Sequence, residues 1–231
     1  MESNFKQIKH FTPIILLVIF LVSSFVAFAQ EKPIDLNLKT PTTQSKQLKQ
    51  LYSLATAARA SFEFPNGFNE IRALDDDDFS FDYAVDLPGK ELEIWFQVIS
   101  EKETLLTKDW GKNSNSDLLG NPDSLYNSLG TVTSQQLTGN KHITGKNMSP
   151  EYLAAYHADA GKSFLLTLLD KSKTRHFKYA LLFALQKFHA GTIIVICFSN
   201  EKGPEFFNNI SKPSKALQFK PGKSNVDKLK H

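Results

Sequence analysis

The chain has 231 residues, room for one domain with a sizeable core, and 41% of them are hydrophobic, including 19 phenylalanines. A formal net charge of +3 is too small to point to nucleic acid, and no such partner is expected. Cys197 is the single cysteine, so no internal disulfide can form.

The first element is a leader. Lys6 and Lys9 precede an apolar run at 14–28, interrupted only by Ser23 and Ser24 and closed by Ala27-Phe28-Ala29 and then Gln30. A spanning helix needs about 20 apolar residues. This run is shorter, starts basic and ends on the small-x-small pattern of a signal peptidase site. Residues 1–29 are therefore expected to be an export signal cut between Ala29 and Gln30. The expected location is periplasmic or extracellular, with no transmembrane anchor after processing. An uncleaved signal anchor is the alternative. No cysteine follows the cut, which argues against a lipid anchor. Residues 30–43, with Pro33 and Pro41, form a linker.

Residues 44–219 are expected to form one α+β domain, an antiparallel sheet flanked by helices. Leu48, Leu51, Ala55 and Ala58 recur at helical steps and predict a helix over 44–60. A short strand at 61–65 ends in proline, Asn66-Gly67 turns the chain, and a second short strand follows at 68–74. The acidic run Asp75 to Asp78 breaks it. Next comes the clearest hairpin. Phe79, Phe81, Tyr83 and Val85 alternate before Pro88-Gly89, and Leu92, Ile94, Phe96 and Val98 alternate after it. One face of this pair is expected to be wetter, with Trp95 beside Glu93 and Gln97 and covered by a helix.

Residues 101–148 carry the weakest pattern. Loop-forming residues fill 112–120, a short helix fits 122–129, and 138–147 is polar again. Long irregular stretches often carry function, so a binding surface is sought there. Ser149-Pro150-Glu151 starts a helix, with Gly161 as its expected end and a strand at 163–169. The run 177–188 fits both a helix and a strand buried on two faces. Its short link into the β-rich stretch 192–198 favours a hairpin. A short helix at 205–210, a final strand at 216–219 and a basic tail at 220–231 complete the chain. Phe81, Tyr83, Ile94, Phe96, Ile194, Ile196 and Phe219 are expected to share one sheet–helix core.

Motifs of known chemistry are missing from the sequence. It has no Gly-rich phosphate loop, no Gly-x-Ser-x-Gly and no His-Glu-x-x-His. His10, His142, His157, His176, His189 and His231 are not paired at metal-ligand spacing. Ser163, His157 and Asp159 make a triple that any chain of this length offers by chance. The Asp75–Asp78 run lacks the spaced oxygens of a calcium loop. Asn147 and Asn209 head glycosylation sequons, the first disfavoured by Pro150. Cys197 sits in an apolar run and is expected to be structural. No catalytic residue, cofactor or metal is expected.

The helix, then Phe62-Glu63-Phe64-Pro65-Asn66-Gly67-Phe68, then two antiparallel hairpins, and a short helix leading into Ala216-Leu217-Gln218-Phe219 form an ordered series. This order resembles the PsbP-like superfamily across about residues 61–219. Its members include extrinsic photosystem II subunits, a Ran-binding nuclear import factor and exported bacterial domains. The resemblance implies an α/β/α sandwich and a non-catalytic accessory or binding role. It places no functional residue on a numbered position, and segment 101–148 departs from it. The expected function is an exported binding module with a protein or small-molecule partner. A hydrolase is the first alternative, which requires a pocket holding a nucleophile, a base and a carboxylate. A structural, envelope-associated protein is the second, marked by an exposed apolar patch on the outer sheet face.

Overall fold

Ser45 opens the first helix, α1 (Lys46–Ala57), by accepting the Leu48 N–H at 3.0 Å. This computed structural model describes residues 44–75, 79–103 and 121–222. The expected signal with its cut between Ala29 and Gln30, the linker, and residues 223–231 of the tail lie outside them. After α1 come β1 (Ala60–Phe62), β2 (Asn69–Ile71), β3 (Tyr83–Asp86) and β4 (Leu92–Ser100). Then follow α2 (Leu125–Thr138), β5 (Lys146–Asn147), α3 (Pro150–Ala155) and β6 (Ala160–Thr167). The chain continues through β7 (Tyr179–Lys187), β8 (Gly191–Ser199), α4 (Pro204–Ile210) and β9 (Leu217–Phe219). Seven strands make an antiparallel sheet in the order β2-β3-β4-β8-β7-β6-β5, and β1 pairs with β9 separately. The fold is the expected α+β class. Among the described residues, no helix is long and apolar enough to cross a membrane.

The ambiguous run 177–188 is strand β7. It pairs residue for residue with β8, from Tyr179 opposite Ser199 to Lys187 opposite Gly191. Its helix-like pattern has a simple cause. Residues 182–186 of this inner strand are buried in succession, on both faces, and such a run loses its alternation. Every residue of β8 is buried for the same reason.

The expected single core is in fact two, one on each face of the sheet. Tyr83, Ile94, Phe96 and Phe219 lie in the first, with Leu51 and Ala55 of α1. Phe81, Ile194 and Ile196 lie in the second, with Trp95 and Leu137 of α2. Ile194 and Ile196 face away from Ile193, Val195 and Cys197 because successive strand residues point to opposite faces. Phe81 leaves the face of Tyr83 because the strand begins only at Tyr83. Phe81 N–H donates to Leu74 O, and Asp82 breaks the alternation between them. The Trp95 face of the hairpin is the wetter one: Trp95 and Glu93 are buried, but Asp82, Asp86, Gln97 and Ile99 on that face are only half-buried.

Two boundaries also move. Gly161 does not end α3, which stops at Ala155 before a turn through His157 at φ +52°. Gly161 instead lies in β6, where an added Cβ would stand 3.0 Å from Leu153 and 3.0 Å from Leu185. The expected short helix after Pro122 runs on to Thr138. Its buried face uses Gly130 and Ser134, and Ser134 Oγ donates to Gly130 O at 2.6 Å. Small residues let α2 approach the sheet but leave little apolar periodicity to read.

Asp82 gives the fold a pH dependence. Its carboxylate accepts the Val98 N–H at 2.7 Å. Burial pushes its pKa up to about 6, against that hydrogen bond, and the charges of Glu103 and Asp75 add to the rise. The folded state therefore holds the proton more tightly than the unfolded chain. Stability is full below the unfolded pKa and falls as pH rises from about 4 through about 6, by about 3 kcal/mol. Asp82→Asn keeps an acceptor for Val98 and should flatten that slope, as read from urea midpoints across this pH range.

Candidate functional site

On the first face, α1 and the β1–β9 ribbon lie over the β3, β4 and β8 region, and α4 contributes Phe206 and Ile210 to the same core. The β7-β6-β5 end of that face is only partly covered. There a groove of about 490 Å3 opens between α3 and α4. Leu181 and Phe183 of β7 and Ser163 of β6 form its floor. Strand alternation places Ser163 directly across from Phe183, on the same face.

The walls are aromatic. Tyr156 caps the end of α3 and is buried. Its hydroxyl lies 3.1 Å from Ser214 Oγ, its carbonyl accepts the Phe219 N–H at 3.1 Å, and its ring is 6.0 Å from that of Phe183. Burial raises its phenol pKa above the ordinary value, so the group stays neutral. This wall is fixed. The opposite mouth is open: Tyr152 is 60% exposed and Phe207 42% exposed. Leu165, 56% exposed and paired with Leu181, extends the apolar surface beyond the groove.

Lys146 and Lys215 supply the charge of the lining, which among the described residues contains no Asp, Glu, His or Cys. The groove thus presents apolar surface, serine hydroxyls and two ammonium groups. Among the described residues, no carboxylate or imidazole lines it beside its serines.

The other residues singled out in the sequence are dispersed. Of the chance triple, Ser163 lines the groove while His157 sits exposed after α3. Asp159 binds Lys187 Nζ at 2.8 Å and the Phe188 N–H at 2.9 Å, so its two oxygens anchor the end of β7. Cys197 is fully buried in β8, and burial pushes its thiol pKa up. Asp75 accepts the Ser80 hydroxyl at 3.0 Å, and Asp76 to Asp78 lie outside the described residues. Asn147 is exposed in β5, and Asn209 is half-buried in α4.

One polar constellation on the second face went unseen in the sequence. Glu93 accepts the Trp95 indole N–H at 2.9 Å and Arg175 Nη1 at 2.8 Å. Arg175 Nη2 also donates to Arg72 O at 3.0 Å, and its guanidinium lies 5.9 Å from the Trp95 ring centre. These bonds strap the loop before β7 onto β4. The only sequence signal for it is an acid two residues from a tryptophan on one strand.

Comparison of the chain with protein-family profiles, curated proteins and solved structures gives no match.

Proposed function

We propose that the protein is an exported, non-catalytic binding module that holds an elongated apolar ligand with an anionic end in the groove between α3 and α4. The observation that carries this is the lining, in which, among the described residues, aromatic and aliphatic walls are joined by two lysines and no acid. Its volume of about 490 Å3 falls in the range of small-molecule sites, about 300–1,000 Å3. Apolar walls supply affinity by removing ligand surface from water, at roughly 25 cal/mol per Å2. Lysines without a neighbouring acid favour a carboxylate or similar head group. Export rests on the leader pattern of residues 1–29. Membership of the PsbP-like superfamily, proposed on element order, agrees with an accessory role but names no ligand.

Titration calorimetry with three twelve-carbon amphiphiles below their aggregation limits tests this. Dodecanoate should bind at one site, with dodecanol weaker and dodecyltrimethylammonium weakest. Lys146→Ala combined with Lys215→Ala should weaken dodecanoate about tenfold and leave dodecanol unchanged, a loss of about 1.4 kcal/mol. No saturable binding by any of the three would overturn the proposal.

The exposed Leu165, Tyr152 and Phe207 favour one second reading, an envelope-associated protein that docks through this face. Co-sedimentation of the protein with lipid vesicles, abolished by Phe207→Asp, would support that reading instead.

A further inference from the structure

At one end of the sheet, away from the groove, three segments far apart in sequence meet. Glu101 directly follows β4, Asp123 lies in the 3-10 turn (Pro122–Ser124) before α2, and His189 lies in the turn between β7 and β8. His189 Nδ1 is 3.6 Å from Glu101 Oε1 and 3.9 Å from Asp123 Oδ2. One nitrogen and two oxygens, one atom from each residue, all lie within 4.8 Å of one another.

Backbone contacts hold these residues together without using the converging atoms. The Glu101 N–H donates to Ala190 O at 3.0 Å. The His189 N–H donates to Asp123 Oδ1 at 3.1 Å, which leaves Asp123 Oδ2 turned toward the imidazole. The imidazole and the two carboxylates stand just beyond hydrogen-bond range of one another. The two carboxylates are largely sheltered, their side chains 31% and 25% exposed. Among the described residues no lysine or arginine pairs with either, and their one ion-pair partner is His189. Among the described residues, two sheltered carboxylates thus face one imidazole.

We propose that Glu101, Asp123 and His189 bind a divalent transition-metal ion of the zinc class. Metal–ligand bonds of about 2.0–2.2 Å to nitrogen and oxygen place tetrahedral ligand atoms about 3.4 Å apart. The 3.6 and 3.9 Å separations reach that value by small side-chain rotations. The imidazole donor selects zinc over calcium or magnesium, which prefer all-oxygen sites. Three protein ligands leave one tetrahedral position for water. The ion would clamp the end of β4 and the start of α2 to the β7–β8 turn. No local spacing announces the site, because its ligands lie 22 and 66 residues apart.

Calorimetric titration of the full chain with Zn2+ after chelator treatment tests it. The expected result is one saturable, chelator-reversible equivalent, with a thermal midpoint that rises as free Zn2+ rises. Binding of that equivalent should fall at least tenfold in His189→Asn, in which asparagine tolerates the φ of +58° at this position. The same loss is expected in Glu101→Gln, whose side chain reaches solvent. Each variant is first checked for an unchanged metal-free thermal midpoint, and either folded variant suffices for the comparison. Absence of saturable binding in the wild type, or an equivalent retained in a folded variant, would overturn the proposal.

Discussion

Gly191→Ala is expected to destabilise the fold by about 3 kcal/mol or more. Gly191 opens β8, where it pairs with Ser100 of β4 on one side and Lys187 of β7 on the other. A Cβ there would stand 2.4 Å from Ile99 O, and 3.1 Å from both Ala58 Cβ and Ser100 Cα. The nearest of these is backbone in the middle of a sheet, so no flexible side chain can move aside. The glycine also holds φ at +155°, which L-residues rarely adopt. Relief requires β4 and β8 to separate at the point where they join the two hairpins. The denaturant midpoint should fall sharply with an unchanged slope. Gly67→Ala is the matched control: φ is +82° but an added Cβ meets nothing within 4 Å. Its cost should be the backbone strain alone, about 1–2 kcal/mol.

Glu93→Ala is expected to cost about 2 kcal/mol. The substitution leaves the indole N–H of buried Trp95 without its acceptor. It also frees Arg175, whose side chain is 40% exposed and can turn to water, so that half of the loss is smaller. Part of the cost is offset across the strand pair. Asp86 stands opposite Glu93 in register, and its Oδ1 is buried without a hydrogen-bond partner. Removing Glu93 relieves the repulsion between these two carboxylates. Glu93→Gln retains an acceptor for the indole and should cost about half as much. Near-ultraviolet circular dichroism of Trp95 separates the two variants, with the larger change in Glu93→Ala.

What the sequence revealed, and what it concealed, follows from how each element is buried. The hairpin of β3 and β4 is legible because Pro88-Gly89 marks its turn and Gly89 takes the positive φ of +74° that turn needs. The burial of Cys197 is legible because its neighbours are all apolar. The division into two cores is not legible from β8, since a strand buried at every position has no alternation to assign its faces. Gly161 suits a helix end and a closely packed strand equally well, and only its contacts with Leu153 and Leu185 decide. The length of α2 is hidden by its small buried residues. The groove is hidden for another reason: no segment holds more than a fraction of it. Stretch 101–148, where a binding surface was sought, contributes Lys146, Asn147 and Met148, while the floor and walls come from β6, β7, α3 and α4. Sites assembled from strand registers and helix ends leave no local motif.

The groove between α3 and α4 is the centre of the functional proposal, and amide chemical-shift mapping tests it most directly. Isotope-labelled protein would be titrated with dodecanoate and the shifted backbone amides assigned. The expected result is saturable shifts concentrated at Lys146 to Ser149, Tyr152, Ser163, Leu181, Phe183 and Phe207 to Lys215, with the second face around Trp95 unmoved. Saturable shifts confined to another part of the molecule, or no saturable shifts, would contradict it.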